Sequence, residues 1–369
     1  MSELNASNLR KEHGNQGPDL VGVTELTSPY FMVPPSGSTD ERPQNPASGT
    51  LRFNTDIGTL EVYRGDVIGW EQIQRQPSAP IGTRGLISGG DPYTNAIEFI
   101  AIATTGNGQD FGDLQEAKQF PGSCASHTRG LIGGGNTGSV VNTIDFVNIA
   151  TAGDGQNFGD LSVARAQCGS TSNSVRGIWW NGEPSHKNEI DFVTIASQGN
   201  ATDFGNSTVS RDAVLGGIQS PTRAIASGGN NSGTRQDVVE YVTIMSTGNA
   251  VDFGNLTESR NVPCCSNSVR GIAAGGDPNS SAGTNLVDFI TIATTGNSTD
   301  FGDLTQARRN QAAVASSTRA VCYGGKTGST ALNTIDFCTI MTLGNYVDFG
   351  DSAATNVGRC GLSNGHGGL

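Results

Sequence analysis

The sequence predicts an all-β protein built mainly from one four-stranded unit repeated six times. Three observations lead there. Glycine makes up 52 of the 369 residues, without the strict triplet of collagen, so tight turns are frequent. Charged residues are 15% of the chain, against roughly 25% in ordinary globular proteins, and Ser, Thr and Asn fill the gap. An acidic–aromatic pair recurs, evenly spaced, at Glu98-Phe99, Asp145-Phe146, Asp191-Phe192, Glu240-Tyr241, Asp288-Phe289 and Asp336-Phe337. A helical repeat of this length needs long amphipathic stretches free of glycine, and glycine breaks the pattern too often for that.

Taken in order, residues 1–49 show no sustained period and carry prolines at 34, 35, 43 and 46, which predicts an extended arm. Tyr30-Phe31-Met32-Val33 is an apolar patch within it and a candidate anchor, with Tyr30 and Phe31 as attachment residues. Residues 50–75 predict a β-hairpin with a third short strand. Leu51 and Phe53 alternate, residues 55–58 turn, Leu60, Val62 and Tyr63 continue, and Trp70 follows another glycine turn. Such a sheet is too small to stand alone and is expected to attach to something larger through Phe53, Tyr63 and Trp70.

The residues Gly49-Thr50-Leu51-Arg52-Phe53-Asn54-Thr55-Asp56 and Gly58-Thr59-Leu60-Glu61-Val62-Tyr63-Arg64-Gly65, closing with Gly69-Trp70, resemble a segment at the head of bacteriophage tail-fibre and other virion appendage modules. The resemblance is confined to this short stretch and implies a virion structural role. It also implies a homo-oligomer, with a trimer as the natural form for a fibre.

Residues 76–369 hold the repeat. Strand A is the small-residue run after Lys118, Arg165, Arg211, Arg260 and Arg308. Strand B begins at Arg84, Arg129, Arg176, Arg223, Arg270 and Arg319 and ends, in five of six copies, in Gly-Gly. Strand C carries the acidic–aromatic pair, and strand D surrounds Asp-Phe-Gly (Asn-Phe-Gly at 157–159). Four short strands per unit, with a unit of this length, predict β-propeller blades. The first B–C–D set lacks a strand A, and a sixth strand A, Arg359–Ser363, stands near the end of the chain. That count predicts a six-bladed ring closed by the C-terminal strand. Strand order and the Gly-Gly position resemble a Kelch-type propeller, with Phe of Asp-Phe-Gly where a Kelch unit usually ends in Trp. The Kelch likeness implies a fold and no function.

The six strand-B arginines and the acids of strand C, among them Asp145, Asp191, Asp288 and Asp336, occur once per copy and are expected to pair as part of the scaffold. Asp-Phe-Gly lacks the companion motifs of a kinase and reads as a repeated turn. Gly133–Gly138 fits a nucleotide-binding glycine pattern but opens no helix. His13, His127, His186 and His366 have no metal-ligand spacing, and no nucleophilic triad stands out. The Asp-rich turns offer oxygen ligands without calcium-loop spacing, so no metal and no cofactor are expected. The seven cysteines contain no CxxC pair and read as small buried hydrophobes.

The B–C loops differ most between copies. Variable polar loops on a repeated frame are where binding is expected, with Trp179, Trp180, His186, Lys187, Tyr93 and Arg235 as candidates. Adjacent Trp residues in a strand face opposite ways, so one can pack inside with the other open to a sugar ring; the favoured reading is a pair that fills the core. A net charge of −12 argues against nucleic acid as partner. The start of the chain lacks the apolar core of a signal peptide, and no apolar run suits a membrane span. The expectation is therefore a non-enzymatic virion protein, made in the host cytoplasm. Residues 1–75 would bind other virion proteins, and the propeller would be displayed toward a host surface glycan or protein. The alternatives are a capsid-decorating or collar protein and a polysaccharide-acting enzyme.

Overall fold

A computed structural model describes residues 34–56, 58–66, 69–72 and 84–369. Tyr30 and Phe31 lie outside the described residues. The chain divides into two compact units, Met1–Ser78 and Ala79–Leu369. The described residues are all-β, with one 3-10 turn and no α-helix.

The first unit holds a four-stranded sheet rather than the expected three. Leu51–Asn54, Thr59–Tyr63 and Trp70–Gln72 form the antiparallel part. Ser36–Gly37, from the stretch expected to be an extended arm, pairs in parallel with Phe53 and Asn54. Strand alternation sets Arg52, Asn54, Glu61, Tyr63 and Trp70 on one face of this sheet and Leu51, Phe53, Leu60 and Val62 on the other. On one face Glu61 is fully buried, 2.6 Å from Arg42 and 3.6 Å from Arg52, and Asn54 donates to the same carboxylate. The Arg42 hydrogen bond leads the causes that hold the Glu61 carboxyl below its ordinary range. On the other face Leu51, Phe53, Leu60 and Val62 are half-buried.

In the second unit six main sheets follow in chain order, each with its strands hydrogen-bonded in the order A-B-C-D. We number them by their B strands. Sheet 1 has strand B at Arg84–Ser88, sheet 2 at Arg129–Gly133 and sheet 3 at Arg176–Trp180. Sheets 4, 5 and 6 have it at Arg223–Ser227, Arg270–Ala274 and Arg319–Tyr323. The C-terminal strand Cys360–Ser363 pairs with Arg84–Ser88 as strand A of sheet 1, as the strand count predicts. In sheet 4 the inner strand is split. Ile218–Gln219 pairs with strand B, and Leu215–Gly216 turns away to pair in parallel with Pro263 and Cys264 of sheet 5.

Every C–D pair carries a β-bulge at the acidic residue, such as the register shift between Ile144 and Asp145. Ile144 faces Gly159 and Asp145 faces Asn157, which leaves Phe158 as the extra residue. This is what the repeated Asp-Phe-Gly does: the Phe is the unpaired bulge residue, and it is buried. The glycine sits at φ 146–150° in all six copies. A Cβ on Gly205 would lie 2.4 Å from the Gly248 carbonyl oxygen of the next sheet, so glycine is required there.

The same motif joins the sheets. The carbonyl of each bulge Phe accepts from a glycine N–H in the C–D loop of the following sheet, as Gly153 to Phe111 and Gly248 to Phe204. The residue after that loop glycine accepts, through Oδ1, the N–H that follows Asp-Phe-Gly, as Asn200 from Asp160 and Asn249 from Asn206. Sheet 6 makes the same two bonds to sheet 1, Gly106 to Phe349 and Asp351 to Asn107. Six apolar clusters fill the six junctions; Ile87, Ile100 and Ile102 of sheet 1 pack with Val321, Ile335 and Phe349 of sheet 6.

A longer period lies on top of this one. Sheets 1, 3 and 5 have Asp91-Pro92, Glu183-Pro184 and Asp277-Pro278 in their B–C loops. Sheets 2, 4 and 6 have turn glycines there, the equally spaced Gly138, Gly233 and Gly328. In the A strands Ser170 and Ser172 of sheet 3, Ser266 of sheet 5 and Ser363 of sheet 1 bond the backbone of the preceding even sheet. The B–C loops link each odd sheet to the even sheet after it, and Arg235 of sheet 4 also reaches Asp277 of sheet 5. The repeat is thus a pair of sheets occurring three times.

Candidate binding face and central cavity

Each recurring charge of the repeat has a place, and it is not the expected one. The acids of strand C do not pair with the strand-B arginines. They pair with the basic residue that precedes strand A. Arg165–Asp191 is 2.8 Å, Arg211–Glu240 2.5 Å, Arg260–Asp288 3.0 Å and Arg359–Glu98 2.6 Å; Arg308–Asp336 completes the Arg pairs. Strand register explains the exchange. Arg84 lies opposite Ala101, so it shares a face with Phe99, two residues away, and not with Glu98. Accordingly the guanidinium of Arg84 stacks on Phe99 at 5.2 Å, and its equivalents stack on Phe146, Phe192, Tyr241, Phe289 and Phe337. Each of these arginines also donates to a backbone carbonyl of the next sheet, from Arg84 to Ile149 round to Arg319 to Ile102. They are inter-sheet clasps.

The acids receive a second partner from the same linker. Ser162 bonds Asp191, Thr208 bonds Glu240, Thr257 bonds Asp288 and Thr305 bonds Asp336. Sheet 2 departs: a lysine, Lys118, lies 3.1 Å from Asp145, whose Oδ2 has no hydrogen-bond geometry, and burial pushes the Asp145 carboxyl up. Lysine cannot supply the planar fork of arginine.

Of the two readings of the Trp pair, the core-filling one is observed, and neither ring is available to a sugar. Trp179 and Trp180 are both 0% exposed. They do face opposite ways, yet a sheet covers each side. Trp179 packs in the junction with sheet 2, where Gly122 and Gly133 leave room for its ring, and Trp180 packs in the junction with sheet 4. The Trp180 indole N–H donates to Thr171 Oγ1 at 3.0 Å. All seven cysteines are free and buried, as expected, and burial pushes the Cys168, Cys264 and Cys338 thiols up to about 12.

Four candidates remain on the B–C side. Tyr93 is 48% exposed, with its hydroxyl 3.4 Å from Asn136 Oδ1 and 3.2 Å from Gln119 Nε2. His186 Nδ1 is 2.9 Å from Asp212, and its Nε2 accepts the Ser232 N–H at 3.2 Å. Ser185, His186 and Ser232 all have positive φ, which places strain in this loop pair. Lys187 is half-buried, and its N–H donates to Gly182. Arg235 donates to Asn230 and, across the junction, to Asp277 at 2.9 Å; Arg309 approaches the same carboxylate at 3.6 Å. The polar groups of this face hold the loops to one another, which makes the face a preformed surface.

At its centre the six A strands line two small cavities, each about 30 Å³. Ser123 Oγ and Gln219 Oε1 face them without a protein partner, as does Gln311 Oε1. That space suits one or two waters and excludes a sugar ring. The tail beyond strand A closes the other end, which was not expected from the sequence. Gly368 N–H donates to His366 Nδ1, so Nε2 carries the proton and donates to the Ala125 carbonyl at 2.9 Å. Gly367 N–H reaches Ser266, and Cβ atoms on Gly367 or Gly368 would lie within 2.0 Å of backbone oxygens. Burial lowers the His366 imidazole to about 4. The run Gly365-His366-Gly367-Gly368 was the available signal, since only such residues let a chain thread between strands.

Comparison with known protein families and with curated proteins finds no match to this chain. Among the described residues no group of three or more His, Cys, Asp or Glu side chains is placed to hold a metal ion, and no helix is long and apolar enough to cross a membrane.

Proposed function

We propose that the six sheets are the blades of a Kelch-like β-propeller and that the protein is a phage virion component, a tail or neck fibre or appendage. Residues 1–75 attach it to other virion proteins, and the propeller presents its B–C face to a host surface glycan or protein. The propeller reading is supported by the cycle of joints in which sheet 6 bonds sheet 1 as every sheet bonds the next. The virion reading is supported by the fibre-like residues 49–70, and by the apolar face of their sheet, where Leu51, Phe53, Leu60 and Val62 are half-buried.

One observation carries the display role: the repeated residues are consumed in the joints, while the B–C loops, which differ most between copies, are bonded to one another as one rigid face. The water-sized central cavities favour recognition of a broad surface over capture of a small molecule. Immunogold labelling of purified particles and adsorption competition with the full-length protein test this. Label at the tail or neck and blocked adsorption are expected. Absence from the particle sinks the virion reading, and label on the head without competition favours a capsid-decorating role. Release of reducing sugar from host polysaccharide would instead favour the enzyme reading. Averaged electron images of the full chain should show six lobes, and any other number removes the propeller assignment.

A further inference from the structure

The residues that depart from the repeat identify one more site, at the end of the sheets opposite the B–C loops. Five of the six strand-C aromatics are Phe, and sheet 4 has Tyr241. Beside it lies a cleft of about 360 Å³, lined by Tyr241, Val242, Thr243 and Val251 and by the loop residues 246–249. The equivalent cleft of sheet 1, beside Phe99, measures about 160 Å³.

The chemistry of the larger cleft is narrow in kind. Its lining offers a phenol, the hydroxyls of Thr243, Ser246 and Thr247, the Asn249 amide and the Val251 side chain, and no carboxylate; Val242 is buried on the other face of the strand, and the guanidinium of Arg223 is taken up by the Tyr241 ring. Val251 is 54% exposed, so an apolar patch stands at the rim. The cleft is preformed: Gly248 N–H bonds Phe204 at 2.8 Å, Asn249 Oδ1 accepts from Asn206 at 3.0 Å, and Ala250 N–H bonds Asn206 at 2.8 Å. Arg223 holds the Tyr241 ring from one side at 4.7 Å, and Phe253 meets it edge-on at 5.9 Å. A fixed aromatic edge and an apolar rim, ringed by uncharged donors and acceptors, match a pyranose. Such a ring has apolar C–H faces and an equatorial girdle of hydroxyls.

We propose that this cleft binds a neutral hexopyranose. The phenol and the Thr and Ser hydroxyls meet the sugar hydroxyls, and Val251 and the Tyr241 ring cover a C–H face. Arg223 is engaged by the Tyr241 ring and the Ile292 carbonyl, so no free cation in the lining favours an anionic sugar. With about a dozen heavy atoms and an open cleft, the affinity should be millimolar. The site stands whether or not the chain is a virion component, so the two readings fail separately.

The test uses the full-length protein and saturation-transfer NMR with glucose, galactose, mannose and N-acetylglucosamine, and with N-acetylneuraminic acid as the anionic probe. Tyr241→Phe installs the residue of the five sister sheets and should leave the thermal midpoint unchanged. Saturable binding of at least one neutral sugar is expected, weakened about fivefold or more by Tyr241→Phe and also by Thr243→Val. No saturable binding of the four neutral sugars overturns the assignment. So does binding that both substitutions leave unchanged, or a preference for the anionic sugar.

Discussion

Arg308–Asp336 and Arg235–Asp277 are the same chemical pair in two settings. The first is fully buried within sheet 6, and Thr305 takes the remaining acceptor capacity of the carboxylate. The second bridges two B–C loops, with side chains 18% and 10% exposed. The buried pair recurs in kind in every sheet and the loop pair occurs once. Where the copies agree, a broken contact leaves a stranded charge. Where they disagree, water can replace the lost partner. The frame is therefore intolerant and the loops are free to vary.

Three measurements sharpen this contrast, from the largest expected effect down. Asp336→Ala strands Arg308 in the junction and should cost about 3–5 kcal/mol in denaturant unfolding. A loss below about 1 kcal/mol would show that water reaches the pair and would put it on the footing of the loops. Second, the tail plug belongs with the frame. His366 has a folded value of about 4 against an ordinary 6.5, mainly through burial, with His127 adding to the lowering and the Ala125 carbonyl opposing it. A depressed histidine must release its proton to fold. Its site is unpenalised above pH 6.5, and stability falls as pH drops from there, with the loss complete below about pH 4. The size is about 3 kcal/mol. Unfolding midpoints across that window should flatten in His366→Gln; an unchanged slope means that other groups carry the dependence. Third, Arg235→Ala should cost about 1 kcal/mol or less. A loss as large as that of Asp336→Ala would erase the distinction between frame and loops.

Much of the fold was legible along the chain because its signals are local. Alternation in Thr334–Thr339, glycines at fixed offsets and the lone strand Cys360–Ser363 place strands without knowledge of neighbours. The exchange of partners between the two arginine series was also within reach. Arg84 and Glu98 fall on opposite faces once Arg84 is set opposite Ala101, and parity alone separates them. The alternation of acidic-Pro loops with Gly turns was present too, as a doubled period hidden under the stronger single one.

The candidate site was less legible, and Trp179 shows why. Strand geometry gives two faces to a Trp pair, and sequence gives no sign that a second sheet covers each face. Burial of the Trp179 ring depends on Gly122 and Gly133, which belong to the preceding sheet and lack side chains where the indole sits. Tyr93 and Arg235, by contrast, lie on the expected side, because the loop that carries each is fixed by its own strands.

The sequence by itself determined the A–D strands of the repeat and their order, the need for a strand from the end of the chain and the residues spent on turns, though not the added strand Ser36–Gly37 or the split at Leu215–Gly216. These follow from backbone sterics, from the alternation of side chains along a strand and from the length of the repeat, all of which act within one unit. Tertiary structure alone decided which rings vanish between sheets and where the tail comes to rest. Those outcomes depend on the spacing between sheets that are neighbours in space, and that spacing is set by glycines and bulge residues of a different repeat.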